Sequence, residues 1–332
     1  MRLLVAFCLL ASVHSLNILI SNADHWVAKN PRYLKSYLTK KGHTVKLISS
    51  ISDSDSMPLS SENTPTDGPF HHLLPVHQSY YKHLLNLKRP KHVVIPDKVV
   101  QTSQFGQDPL DSDSWYVNSS PLNALQVGLQ VILPNYYPDF EPDLVIIGPN
   151  EGWENQYLVE SMMKSVEGVS VLAVSTEDAH DVYYLDERYF HVSDSYHRQL
   201  KKHNVFTKNI KSINKSIGKI INAMDGSEAV SAHVKFPSYN HHDSQCVTSH
   251  KSETKFKQVH STRVDAPKYK LNFKTERDGN VVKIVGADTA RDGFFKETHA
   301  QKLLSESVSE ETLKGLMKCK VVLEVHHGKI NL

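Results

Sequence analysis

Asn22, Ala23 and Asp24 stand one residue past the apolar run Ile18-Leu19-Ile20, after Ser21, and Asn150 stands in a Gly148-Pro149-Asn150-Glu151-Gly152 turn after Leu144-Val145-Ile146-Ile147. Both apolar runs read as buried strands that end on polar groups. Open parallel sheets bind ligands outside the carboxyl ends of their strands, so amides and carboxylates at two such ends can meet in one site. Asn22, Asp24 and Asn150 would offer it only oxygen-bearing side chains. Hard divalent cations such as Mg²⁺ or Mn²⁺ take oxygen ligands, one or two carboxylates among them, and keep several waters. Ala23 is the odd member, a methyl group between an amide and a carboxylate. On composition alone, polar residues at strand ends also cap the helices that follow.

The elements that must position these groups can be read from the pattern around them. Tyr33, Leu34, Tyr37 and Leu38 form an apolar stripe at helical spacing, with Asn30 as the expected cap, Pro31 in the first turn and Lys40-Lys41-Gly42 as the close. His43 to Ile48 reads as the next strand, which gives a strand, helix, strand crossover and makes the first strand central. Ser49 to Gln78 is rich in Ser, Asp, Pro and His and reads as a long loop. Ser120-Pro121 starts another helix with Leu122, Leu125, Leu129 and Ile132 on one face and Pro134 as its expected stop. Val169 to Val174 is a further strand ending at Ser175 and Thr176, and a long amphipathic helix is expected between Tyr196 and Met224. Beyond Pro237 the pattern turns to alternation, with Asp278-Gly279 as a hairpin turn, a helix near Ser309 to Met317 and a strand Val321 to Val325.

These elements predict an α/β fold: three layers around a mostly parallel, Rossmann-like sheet, with a β-rich carboxyl-terminal extension. The boundaries expected are a leader over 1–15, an α/β domain over 16–237 carrying the 49–78 loop, and the extension over 238–332. A chain of 332 residues is long enough to bury a full core. Lys and Arg number 38 against 36 Asp and Glu, a balance of +2 that gives no basis for a nucleic-acid or anionic-membrane partner. Met1-Arg2, the apolar stretch Leu3 to Leu10 and Val13-His14-Ser15 have the three regions of a secretory signal, which predicts a secreted protein. Removal of the leader takes Cys8 with it and leaves Cys246 and Cys319, whose pairing as one disulfide is expected in an oxidising compartment. Asn118-Ser119-Ser120 and Asn214-Lys215-Ser216 fit the N-glycosylation pattern. The His pairs His71-His72, His241-His242 and His326-His327 lack neighbours at zinc-ligand spacing and read as surface histidines. No Gly-x-Ser-x-Gly elbow, catalytic-Cys signature or Walker loop is present in the sequence.

Taken together, the strand ending at Asn22-Ala23-Asp24, the later Gly42-His43-Thr44-Val45, Trp115-Tyr116-Val117-Asn118-Ser119-Ser120-Pro121 with Gly128, and Pro142 to Gly152 resemble the SurE-like phosphatases and nucleotidases, in particular their secreted fungal-type acid phosphatase branch. Val171 to Ser175 and Val234-Lys235-Phe236-Pro237 extend the resemblance more faintly. It implies a metal-dependent phosphomonoesterase acting on a small phosphomonoester such as a nucleotide, with homodimers as the oligomer to test. It assigns Asp24 and Asn150 to the metal, with Asp24 catalytic and Asp55 from the long loop as a compensating ligand. Asn22, His25, Ser119 and Ser120 fall in its substrate region.

The same resemblance marks departures. Ala23 occupies the place of the first of two adjacent carboxylates, and His25 replaces a Gly. Asn155-Gln156-Tyr157 falls where the family has a Ser-Gly-Thr phosphate turn, so that Tyr157 would intrude on a phosphate. Losing one carboxylate removes half of the fixed negative charge that would hold the cation. Two readings follow: a weakened metal-dependent phosphomonoesterase, and a catalytically inactive binding protein built on the same cleft. A third, a secretory glycosyltransferase-like domain, rests on the opening alone and lacks a second nucleotide-binding half.

Overall fold

A computed structural model of the chain describes residues 15–51, 105–108, 111–152, 156–178, 184, 205–224, 226, 228–239, 244, 246, 254–260, 271–279, 281–289 and 309–332. The leader up to residue 14, most of the 49–78 loop with Asp55, Asn155, and the pairs His71-His72 and His241-His242 lie outside the described residues.

The sheet is built outward from β1 (Asn17–Ser21), whose Ile18, Leu19 and Ile20 are fully buried. A strand covered on both faces must be apolar at successive positions, and each such side chain contributes roughly 1.5–3 kcal/mol of transfer free energy. β1 pairs in parallel with β2 (Thr44–Ser50) on one side and with β5 (Leu144–Glu151) on the other. Beyond β2 lie β4 (Asp111–Val117), parallel, and the short antiparallel edge strand β3 (Phe105–Asp108). Beyond β5 lie β6 (Ser170–Thr176) and β7 (Ser231–Phe236), both parallel. β11 (Val321–His327) then runs antiparallel to β7, and β8 (Phe256–His260) closes that edge. The nine-stranded order is β3-β4-β2-β1-β5-β6-β7-β11-β8. From β1 the chain winds first toward β4 and later toward β7, so the strand order reverses between β1 and β5.

Helices cover both faces. On one, α1 (Lys29–Lys40) and α5 (Val205–Ala223) bury Leu34, Leu38, Ile213 and Ile217 against Ile18, Ile20 and Val174. On the other, α2 (Pro121–Val127) and α4 (Gln156–Lys164) bury Leu122, Leu125, Leu158 and Met162 against Leu19, Val145 and Ala173. A hairpin of β9 (Leu271–Asp278) and β10 (Val281–Thr289) turns at Gly279, φ +60°, and packs Val282 and Ile284 onto this second core.

Three sequence expectations change. α1 begins at Lys29 with no side-chain cap, because the Asn30 amide donates instead to Glu151 across the sheet end. Pro134 does not stop its helix. A π-helical stretch over Gly128–Ile132 shifts the hydrogen-bond register and leads into α3 (Leu133–Tyr136), where Pro134 sits in a first turn that needs no N–H from it. The stretch after Pro237 is divided: β8 and β11 complete the main sheet, and only β9 and β10 form a separate one. α6 (Glu310–Met317), capped by Ser309 through Thr312 N–H at 3.1 Å, precedes β11. Cys246 and Cys319 are joined by a disulfide across 73 residues and tie the start of this stretch to the turn before β11.

Candidate functional site

Doubly wound sheets place ligands in the crevice at the carboxyl ends of their strands where the strand order reverses, which in this sheet is between β1 and β5. The polar residues expected to meet do meet there. Ala23 N–H donates to Asn150 Oδ1 at 2.8 Å, and the Asn150 amide donates to the Ile147 and Val174 carbonyls, each at 3.2 Å. Gly148 makes this turn possible: its φ is +121°, and a Cβ there would collide with the Val174 carbonyl. Asn22, fully buried, donates to the His25 carbonyl at 3.0 Å and accepts from the Ser49 hydroxyl. Asp24 accepts the Glu151 N–H on its two oxygens, at 3.1 and 3.3 Å.

Two further residues join them that the sequence reading did not assign. Lys29, 2 % exposed at the start of α1, forms an ion pair with Glu151 Oε1, and the Asn30 amide donates to the same oxygen at 3.3 Å. The sequence signal was present, in a lysine opening one crossover helix and a glutamate beside the Asn150 turn. The crevice therefore carries two carboxylates, Asp24 and Glu151, together with a cation of the protein's own.

The remaining expected site residues sit nearby or elsewhere. His25 is buried. Ser120 caps α2 by accepting from Asn123 N–H, and the Ser119 hydroxyl accepts from the Asn123 amide at 2.7 Å, so both serines shape the start of that helix. Tyr157 lies half-buried in the first turn of α4. Asn118 is partly exposed after β4, whereas Asn214 is 4 % exposed within α5. A glycan acceptor needs an exposed amide, so the expectation at Asn214 is withdrawn.

The donor set bears directly on the cation. Asp24 and Asn150 are both present, a carboxylate and an amide oxygen at adjoining strand ends. Ala23 is fully buried in the core beside α2 and α4 and contributes no charge. Glu151 supplies a second carboxylate, but Lys29 already neutralises it. The residues thus fit a divalent cation at reduced fixed charge.

A cleft of about 430 Å³ lies along α1, lined by Arg32, Tyr33, Lys35, Asp111 and Tyr184 among others, and none of the crevice residues opens into it. Three of its charged groups are paired: Arg32 with Asp111 at 3.3 Å and with Asp108 at 2.8 Å, and Lys35 with Asp111 at 2.6 Å. Burial works to raise the Asp111 carboxyl, but the hydrogen bonds from Lys35 and Ser114 and the charges of Arg32 and Lys35 outweigh it and hold the group below its ordinary range.

A second polar cluster lies on the α4 face of β6, β7 and β11. Ser175 Oγ is 2.9 Å from His233 Nε2, His233 Nδ1 is 3.1 Å from Glu160 Oε1 on α4, and Lys235 pairs with Glu324 at 2.9 Å. All five are buried. Burial would raise the Glu160 carboxyl, yet the His233 hydrogen bond and the neighbouring positive groups bring it below its usual value. His326, expected at the surface, has a side chain only 10 % exposed and faces this cluster. The alternation of β11 places it on the same face as Glu324.

No protein-family profile matches the chain. A curated acid phosphatase of Yarrowia lipolytica (strain CLIB 122 / E 150) is 25 % identical over 208 residues, which are 60 % of this chain and 50 % of that protein. The chain has an acid phosphatase among its relatives. The resemblance to SurE-like phosphatases read from the motifs therefore stands, and the chain spans half the length of this relative. Among solved structures, the SurE protein from Aquifex aeolicus aligns over 93 % of this chain and 92 % of that one, with a TM-score of 0.41 and 14 % identity. Among the described residues no helix is long and apolar enough to cross a membrane.

Proposed function

We propose that this chain is a secreted phosphomonoesterase of the SurE-like kind, acting on a small phosphomonoester such as a nucleotide at the β1/β5 crevice, with a metal site weakened by Ala23. The observation that carries the reading is the convergence of Asn22, Asp24 and Asn150 at the point where the strand order reverses. Asp24 and Asn150 would hold a divalent cation, which when bound polarises a phosphoryl oxygen. The chain's own groups do the rest. Asn150, fixed by three hydrogen bonds, keeps its amide oxygen oriented without reorganisation. Lys29, paired with Glu151, keeps that second carboxylate from adding negative charge against an anionic ester.

Phosphate release from an aryl phosphate and from nucleoside monophosphates, measured with Mg²⁺, with Mn²⁺ and with chelator, tests this reading. Chelator-sensitive turnover is expected, and its absence from acidic to neutral pH overturns catalysis. The second reading, a binding protein without turnover, is favoured by the Lys29–Glu151 ion pair, which places an internal cation next to the depleted site. It predicts saturable binding of a phosphomonoester that is unchanged by chelator.

A further inference from the structure

We propose that Glu160, His233 and Glu324, with His326 at their margin, form a structural zinc site, separate from the crevice and independent of the proposed phosphomonoesterase activity. Single ligand atoms of Glu160, His233 and Glu324 lie within 4.8 Å of one another. Tetrahedral zinc with ligands about 2.0–2.1 Å away sets neighbouring donors on the order of 3.3 Å apart. His233 Nδ1 stands 3.1 Å from Glu160 Oε1, and His326 Nε2 stands 3.9 Å from the same oxygen. An imidazole and two carboxylates, with a second imidazole at the margin, make a donor set that suits zinc better than a hard oxygen-seeking cation.

The surroundings are those of a built site. Ser175 Oγ lies on the other ring nitrogen of His233, at 2.9 Å, which fixes the ring and leaves Nδ1 free to ligate. Thr312 donates its hydroxyl to Glu324 Oε1 at 2.7 Å, and Lys235 sits on Glu324 Oε2. The elements that contribute are α4, β7 and β11, so a bound ion would join the β5–β7 half of the sheet to the carboxyl-terminal strand.

Two other accounts of the cluster are weaker. Ser175, His233 and Glu160 stand in the order of a nucleophile relay, but Ser175 is 4 % exposed and a nucleophile must meet its substrate. A proton on His233 would satisfy Glu160 and Ser175 without a metal. It would leave the buried His326 Nε2, which has no hydrogen-bond partner, still unsatisfied.

The test uses the full secreted chain, purified without metal-affinity steps. Elemental analysis is expected to find about one zinc per chain. Stripping it with a strong zinc chelator should lower the unfolding midpoint by about 5 °C or more, and zinc alone should restore it. Cobalt substituted for zinc should give the visible absorption of a tetrahedral site. His326→Ala, at the cluster margin, is expected to weaken zinc binding by about tenfold or more while the chain stays folded. Asp24→Asn, in the crevice, should leave zinc content unchanged. A folded wild-type chain that carries no zinc, takes up none and shows no shift in midpoint overturns the proposal. So does zinc that is lost in Asp24→Asn and kept in His326→Ala.

Discussion

The two polar clusters of this molecule lie on neighbouring strands and solve the problem of buried charge in opposite ways. In the crevice, the carboxylate of Asp24 is held by a backbone N–H and Asn150 by backbone groups, while side chains pair Lys29 and Asn30 with Glu151 and Ser49 with Asn22. Across β6, the groups of the second cluster are held almost entirely by one another: Ser175 on His233, His233 on Glu160, Lys235 on Glu324, Thr312 on Glu324. Backbone-held groups keep their positions when one neighbour changes. A mutually held set does not, because each member is a condition for the next. The crevice is thus suited to exchange a ligand, and the second cluster to tie elements together.

Removing Lys235 provides the hardest test of that contrast. Lys235→Met leaves the buried Glu324 carboxylate without its ion-pair partner and is expected to lower unfolding free energy by about 3–5 kcal/mol, read from urea denaturation. Asp24→Asn keeps an oxygen for the Glu151 N–H and should cost about 1 kcal/mol. Equal losses in the two variants would remove the distinction. Separating Cys246 from Cys319 comes next. The bridge closes 73 residues onto the strand that carries the second cluster, and the double Ser variant should lose about 4 kcal/mol by chain-entropy reasoning. A loss confined to this half, visible as early hydrogen exchange in β8 and β11 with β1 and β5 still protected, would sharpen the comparison.

The difference between the clusters also explains what could be read from the sequence. Asn22, Asp24 and Asn150 were legible because each follows an unbroken apolar strand, and local order places both strand ends on one edge of a parallel sheet. Glu160, His233, Glu324 and His326 come from three elements up to 166 positions apart, as 326 − 160 shows, and no local pattern joins them. His326 read as a surface residue because the His326-His327 pair lacks neighbours at zinc-ligand spacing, while the alternation of β11 turns His326 inward and leaves His327 exposed. The insertion of β11 between β7 and β8 was invisible for the same reason, since strand pairing at that range leaves no spacing to read. Asn30 and Pro134 failed locally: each had sound helix-boundary chemistry, and a contact to Glu151 in one case and a π-helical register shift in the other took precedence.

Ala23→Asp probes the crevice from the opposite direction, by adding charge. The carboxylate would enter a fully buried position beside Asn150 and restore the second fixed charge. Turnover with Mg²⁺ or Mn²⁺ is expected to rise about tenfold, equivalent to about 1.4 kcal/mol in the barrier, and the metal-free variant should be less stable than the parent. A variant that is destabilised and yet no more active would move the deficiency from Ala23 to the region of Tyr157.

The smallest effect is expected at the rim, where Asp111 serves Arg32 and Lys35 rather than either cluster. Its carboxyl titrates below the ordinary range in the folded chain, so the unfolded chain takes up the proton first as pH falls. The stability it provides is present in full above the unfolded value of about 3.9 and is lost as pH drops through the lower folded value. Asp111→Asn should therefore be less stable than the parent near neutral pH, and the gap should close in acid, as urea midpoints at a series of pH values would show. A gap that stays constant into acid would mean that Asp111 acts through shape and hydrogen bonding alone. The rim charges would then contribute nothing electrostatic to the placement of α1, and Lys29 would owe its position in the crevice to Glu151 and Asn30.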